Sequence, residues 1–315
     1  MEYTAVIRTL GRAGEKYQTL LKSLESQTIP PRAILVYIAE GYPLPKETIC
    51  KERYIYVTKG MVAQRALQYK EVNTEYILFL DDDVYLPDNS VALLFKQMLD
   101  NGADVISPDV FHNSKRPFLQ SLLMAISGRM YPRKKDDVWG YKVMRTGGYS
   151  YNMNPTKSVY RSQTNAGPCF LCKKRDFLNI HFEVEMWLDQ VGYPQGEDQV
   201  MFYKMYKAGY NQLTSYNSGI VHLDAGQNRD KTKEKMLIYS DFRFKTIFWH
   251  RFIFKPTKNR FLKAWNVLAI AYTFMFALLI SLIKFRFDIM QIKCSAIKDG
   301  IEFIRSDEYK SLPLI

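Results

Sequence analysis

The chain has 315 residues, 47% hydrophobic and 24% charged, with only 16 Gly and 13 Pro. That balance excludes wholesale disorder, collagen and low-complexity sequence, and the length leaves room for about two domains. The 44 Lys and Arg against 32 Asp and Glu leave a net charge of +12, which calls for anionic partners: nucleic acid, anionic lipid or phosphorylated substrates.

The start, Met1-Glu2-Tyr3-Thr4, has neither the basic region nor the apolar core of a signal peptide, so the N-terminal part is expected in the cytosol. Residues 3–8 form a short β-rich run. Residues 15–26 set Tyr17, Leu20, Leu21 and Leu24 at helical spacing. Residues 33–38 and 54–57 are further β-rich runs, and 61–69 reads as a helix. Tyr76-Ile77-Leu78-Phe79-Leu80 is apolar throughout, as a parallel strand buried on both faces is. An amphipathic helix over 90–99 and a strand from 104 follow. The alternation predicts an α/β fold: an open, mostly parallel sheet flanked by helices.

Between 127 and 163 the pattern dissolves into Gly, Pro, Tyr, Asn, Arg and Lys, with Pro132 and Gly148 among the breakers. A stretch of that length without regular structure is expected to be functional or a flexible insert. Regular structure resumes at Gly167. A helix over 199–208 ends at Gly209, where a C′ glycine belongs, and 212–222 reads as strands. Of the four cysteines, Cys50, Cys169, Cys172 and Cys294, the CxxC pair lies in a strand-like run that sends its two thiols to opposite faces. Buried, reduced thiols are the expectation there, not zinc or redox chemistry.

The last third changes character. Residues 242–254 interleave Phe, Ile and Trp with Arg and Lys. Residues 264–283 are twenty positions of which only Asn266, Thr273 and Ser281 are plainly polar. At about 1.5 Å per residue they match a bilayer core of about 30 Å. Basic residues precede the segment (Lys258, Arg260, Lys263) and follow it (Lys284, Arg286), so the positive-inside rule gives little direction. A spanning helix, an interfacial helix and a buried core helix are all open. The region is expected to associate with membrane lipids, at the cytoplasmic face of the cell membrane, as a peripheral or single-pass element. The expected division is 1–110, 111–240 and 241–315, the last a membrane-associating helical region.

Asp81-Asp82-Asp83 follows the buried strand directly. Ligands of open α/β sheets bind beyond the carboxyl ends of strands. In an extended chain Asp81 and Asp83 would share one side, offering two carboxylates to a hard cation, Mn²⁺ or Mg²⁺. Gly196-Glu197-Asp198 opens a helix, and His222 follows a strand as a possible third ligand.

These motifs together resemble family 2 glycosyltransferases of the GT-A fold. The matching elements are Ala5-Val6-Ile7-Arg8-Thr9-Leu10-Gly11-Arg12, Ser23-Leu24-Glu25-Ser26-Gln27-Thr28-Ile29-Pro30, an acid after the second strand (Glu40, where Asp is usual), Gly60-Met61-Val62-Ala63-Gln64-Arg65, Asp81 to Asp83, and the acidic pair Glu197-Asp198 after a Gly-containing loop. The resemblance covers residues 3–110 and, less closely, 165–225. It implies an inverting glycosyltransferase of the bacterial polysaccharide or glycolipid type, with 1–110 as a nucleotide-sugar-binding half and 111–240 as an acceptor-binding and catalytic half. Thr9, Glu40, Arg65, Asp81 and Asp82 would contact the nucleotide of the donor. Asp81, Asp83 and His222 would hold the metal. Asp198 would be the general base, with Glu197 and Trp187 as acceptor contacts. A nucleotide-sugar donor and a glycan or lipid-linked acceptor are the implied partners. Arg8 departs from the Pro common at its position. The competing readings are a metal-dependent nucleotidyltransferase, a catalytically dead relative, and a basic nucleic-acid-binding protein. No helix-turn-helix, zinc-finger or RRM signature supports the last, so no nucleic-acid partner is expected.

Overall fold

The computed structural model describes residues 1–49, 51–110, 117–131, 138–191, 193, 195–223 and 233–314. Cys50, His112, Pro132 and Asp224 lie outside the described residues.

The strands are β1 (Tyr3–Thr9), β2 (Ala33–Ala39), β3 (Glu52–Val57), β4 (Tyr76–Asp81), β5 (Val84–Tyr85), β6 (Val105–Pro108), β7 (Tyr141–Val143), β8 (Tyr149–Tyr151), β9 (Val159–Arg161), β10 (Cys169–Lys173), β11 (Gln212–Ser215) and β12 (Val221–His222). The helices are α1 (Glu15–Glu25), α2 (Ser90–Asp100), α3 (Phe118–Ile126), α4 (Lys174–Leu178), α5 (Glu197–Lys207), α6 (Glu234–Phe248), α7 (Arg260–Ile283), α8 (Phe287–Arg305) and α9 (Asp307–Ser311). A 3₁₀ stretch, Phe182–Gln190, precedes α5, and a π-helical turn, Trp249–Phe254, continues α6.

Eight strands form one sheet in the order β3-β2-β1-β4-β10-β6-β11-β9. β1, β2, β3 and β4 are mutually parallel, as are β6 and β11. β10 runs antiparallel between β4 and β6. This is the expected open, mostly parallel sheet, and β10 from the second half of the chain sits at its centre.

Side-chain alternation along the strands builds one core on each face. Val6, Leu35, Tyr37, Phe79 and Phe170 pack on one side with α5 and α6. Ala5, Ile7, Val36, Leu78 and Leu80 pack on the other with α1 and α2. Each fully buried Leu, Ile or Val contributes about 1.5–3 kcal/mol. Cys172 belongs to the first core and Cys169 to the second. Burial raises both thiols, so they are inert packing groups.

Three stretches depart from expectation. Residues 61–69 form turns, not a helix. The backbone N–H groups of Val62 and Ala63 are taken by the Asp189 carboxylate at 2.9–3.1 Å, and Arg65 is drawn inward by acids. Within 127–163 the chain forms the β7–β8 hairpin and edge strand β9; strands of three residues are too short to show a period. α3 had no expectation at all.

The C-terminal helices fold back on the body. α6 packs along α8, where Gly300 leaves no room for a Cβ, 2.8 Å from Thr246. α7 is the only described helix long and apolar enough to cross a membrane. It buries just Asn266, Ile270, Ala277 and Ser281, one stripe of its 24 residues. A buried core helix is therefore excluded.

Candidate active site

The site lies at the carboxyl ends of β1 and β4, where the first turn of α5 meets them. Arg8 is the one charged residue of β1, whose other side chains are all buried. Its guanidinium donates from Nε to Asp81 Oδ1 at 2.5 Å and from Nη1 to Glu197 Oε1 at 2.7 Å. Arg65, only 2% exposed, donates to Asp198 Oδ1 at 2.6 Å and to the Gly167 carbonyl at 3.0 Å. It also lies 3.1 Å from Glu197 and 3.4 Å from Asp81. Two arginines thus bind three carboxylates in a buried network, joining β1, the 60–67 turn, β4 and α5.

Burial shapes this network. It pushes Glu197 up to about 7, against the pull of Arg65 and Arg8. It pushes Asp81 up as well, but there Arg8 and Arg65 win and hold the carboxyl below its ordinary 3.8. Burial and the neighbouring Asp81 and Asp83 lift Asp82 to about 6, opposed by a hydrogen bond donated by the Thr9 hydroxyl. That hydroxyl also accepts from the Gly11 N–H at 2.8 Å.

Asp198 differs from Glu197. Its side chain is 33% exposed. Oδ2 accepts from the Gly167 N–H at 3.0 Å. Asp198 lines a cavity of about 400 Å³ together with Tyr149, Tyr151, Asn165, Gln199 and Phe244. Two glycines shape the approach. A Cβ on Gly167 would fall 1.9 Å from Asp198 Oδ1, and one on Gly196 would fall 2.2 Å from the Phe244 ring. Gly196 also has φ +78°, a left-handed turn that suits glycine. The first-turn acids of α5 point at Arg8, Arg65 and Gly167, so they do not cap their own helix.

Asp83 and His222 form a third group. Antiparallel pairing sets His222 opposite Val84, and its Nε2 lies 3.0 Å from Asp83 Oδ2. Among the described residues no group of three or more His, Cys, Asp or Glu is placed to hold a metal ion. Asp81, expected beside Asp83 as a ligand, is turned onto the arginines because the chain leaves the strand conformation after Asp81. Asp83 and His222 still present a carboxylate and an imidazole side by side. That donor pair fits a cation whose remaining ligands are phosphate and water.

The structure therefore gathers Arg65, Asp81, Glu197 and Asp198 in one network, Thr9 with Asp82, and Asp83 with His222. Glu40 stands exposed at the end of β2. Glu197 is turned inward, 2% exposed, not toward an acceptor. Trp187 is also turned away from the cavity: it is 2% exposed, packs on Phe303 and donates its indole N–H to Glu185 at 2.7 Å. Glu185 belongs to a separate buried ion cluster with Lys204 and Arg251. Sequence reading missed Arg8 as a structural partner, although a lone cation within a buried strand demands a buried acid. It also missed Asp189, which carries no sequence signal.

The mostly parallel sheet and helical flanks define an α/β fold with its candidate site beyond the carboxyl ends of the central strands. Residues 47–184 match the family model Glycosyl transferase family 2. Arg65 and Asp81 to Asp83 fall inside the matched span; Thr9, Glu40, Asp198 and His222 fall outside it. No curated protein matches the chain. Among solved structures, GalNAc-T7 with UDP, GalNAc and Mn²⁺ aligns at 14% identity and TM-score 0.49, over 85% of this chain and 55% of that one. S. aureus TarS aligns at 13% and 0.47, over 87% and 43%. The mannosyltransferase PcManGT from Pyrobaculum calidifontis, in complex with GDP-Man and Mn²⁺, aligns at 13% and 0.47, over 98% and 82%. The chain spans about half the length of the first two.

Proposed function

We propose that this chain is an inverting glycosyltransferase, moving a sugar from a nucleotide-sugar donor to the hydroxyl of a lipid-linked glycan or surface polysaccharide. The observation that carries the reading is Asp198. It is a carboxylate gripped from two sides, by Arg65 and by the Gly167 N–H, with its open side in a cavity of about 400 Å³. The acceptor hydroxyl attacks the anomeric carbon, the bond from that carbon to the diphosphate oxygen breaks, and the electron pair leaves with the diphosphate. Asp198 takes the hydroxyl proton. One displacement inverts the carbon. General base assistance of this kind is worth roughly 10²–10⁴-fold.

On the donor side, Thr9 and Asp82 form a hydrogen-bonded pair beside the network, suited to a ribose or base. Asp83 and His222 would hold Mn²⁺ or Mg²⁺. The cation would offset charge on the departing diphosphate. Arg8 and Arg65 fix Asp81 and Glu197 and keep the site preorganised. The basic residues at both ends of α7 favour an anionic leaflet, which supports the cytoplasmic face of the cell membrane as the place of action.

The test is thermal stabilisation of the chain by a panel of nucleoside diphosphates and nucleotide-sugars, with Mn²⁺, Mg²⁺ or neither. A metal-dependent rise with one nucleotide, at ligand about 100 times its Kd, corresponds to about 2.7 kcal/mol. No rise with any nucleotide in a folded sample overturns the donor site.

A further inference from the structure

α3 buries none of its side chains. Phe118 is 82% exposed, and Leu119, Leu122, Leu123 and Ile126 are exposed as well. Five large apolar side chains in nine residues mark a surface that another apolar phase covers. α7 shows the same face to solvent through Phe261, Trp265, Leu268, Met275 and Leu279. The two helices adjoin. The Tyr272 hydroxyl donates to the Ile126 carbonyl at 2.8 Å. Just past α3, Gly128 sits so close to Thr273 that a Cβ would lie 2.8 Å from its hydroxyl.

Charge identifies the covering phase. Residues 117–131 and 258–286 contain no Asp or Glu, but they contain Arg129, Lys258, Arg260, Lys263, Lys284 and Arg286. At the far end Arg286 is paired with Glu234 and Asp288, so the cations that border the apolar face are chiefly Arg129, Lys258, Arg260, Lys263 and Lys284, and such a border complements an anionic lipid surface. The course of α7 fixes its orientation. Near its start Asn266 accepts from Arg145 at 3.1 Å. At its middle Tyr272 holds α3. Toward its end the buried Lys293 of α8 donates to the Ala277 carbonyl at 2.9 Å and to the Ser281 hydroxyl at 2.8 Å. A helix tied to the body at its start, middle and end cannot leave it to cross a bilayer.

We propose that α3 and α7 together form a monotopic docking face for an anionic bilayer, with α7 lying along the headgroup–acyl boundary instead of spanning it. This goes beyond membrane contact by the C-terminal region alone and does not depend on the sugar-transfer reading. The face also borders the cavity beside Asp198, whose wall includes Met124 and Thr273.

The experiment is flotation of the full chain with phosphatidylcholine vesicles, with and without phosphatidylglycerol. Two double variants at exposed positions are compared, Phe118→Asp with Leu122→Asp on α3 and Trp265→Asp with Leu268→Asp on α7, and thermal melts confirm their fold. Wild type should float with the anionic vesicles and be released from membranes by alkaline carbonate. Each double variant should lose binding by about tenfold or more. Unchanged flotation of the folded α3 variant overturns the shared face. Resistance of wild type to carbonate overturns the in-plane orientation. A wild-type dimer that ignores vesicles and dissociates in the variants assigns the face to a second copy and also overturns it.

Discussion

Arg65 and Asp198 lie 2.6 Å apart, a guanidinium 2% exposed against a carboxylate one-third exposed. The pair spans the boundary between core and cavity. Its buried end is fixed by the Gly167 carbonyl and by two further acids, so the exposed end has little freedom to turn. Orientation of this kind separates a proton acceptor from an ordinary surface acid.

Asp198→Asn keeps the shape and removes the base. Sugar transfer should fall by roughly 10²–10⁴-fold, while nucleotide-induced thermal stabilisation stays near wild type. Activity within a factor of a few of wild type would remove Asp198 from the chemistry. A nucleotidyltransferase should largely persist in the variant.

Arg65→Met strands Asp81 and Glu197 in the interior with fewer counter-charges. Breaking a buried pair by removing one partner costs about 3–5 kcal/mol. Urea denaturation should show a loss of that size, partly recovered when Glu197→Gln is added, because one stranded charge is then gone. Equal stability of Arg65→Met and wild type would show that the network contributes nothing to folding.

Glu197 gives a pH dependence. Its carboxyl is raised from an ordinary 4.5 to about 7, first by burial. The native state therefore holds this proton more tightly than the unfolded chain does. Its contribution favours the native state below about 4.5 and is lost as pH rises toward 7. The Tm of Glu197→Gln minus that of wild type should climb across that window and flatten above it. A flat difference would mean that the arginines keep Glu197 ionised throughout.

Asp83→Ala removes one half of the carboxylate–imidazole pair. The metal-dependent part of nucleotide stabilisation should vanish, and chelation of wild type with EDTA should give the same result. Asp81→Ala should instead lower basal Tm, because Asp81 pairs with Arg8 and Arg65. If Asp81→Ala abolishes metal dependence and Asp83→Ala spares it, the two roles are reversed.

The parallel sheet was legible because Tyr76 to Leu80 and its neighbours are apolar beyond what one buried face requires. The strand-end acids were legible because Asp81 follows such a run directly. Side-chain direction was not. Strand alternation put Asp81 beside Asp83, but the chain turns after Asp81 and Arg8 captures it. Trp187 looked available to an acceptor because sequence cannot show the Phe303 ring of a distant helix lying 5.8 Å away. Residues 61–69 have helical spacing, yet the backbone donors of Val62 and Ala63 go to Asp189, more than 120 positions along the chain, and only Gln64, Arg65 and Ala66 bond back to carbonyls of the same turn. Contacts between segments far apart in sequence decided each of these positions.

Gly167 offers a test of geometry that leaves every charged group in place. Its backbone N–H binds one oxygen of Asp198 and its carbonyl binds Arg65. An added methyl would fall 1.9 Å from Asp198 Oδ1 and 2.6 Å from an Arg65 nitrogen. Both are side-chain atoms, not backbone, so the chain can fold around Gly167→Ala if the carboxylate is forced out of its place. Overpacking of this kind costs about 1–3 kcal/mol. A displacement of about 1 Å can lower turnover by about 10²-fold. The variant should therefore remain folded, lose turnover far out of proportion to its stability, and keep its nucleotide response, because Thr9, Asp82 and Asp83 are untouched. Turnover that tracks stability alone would mean that the grip on Asp198 serves the fold and not the reaction.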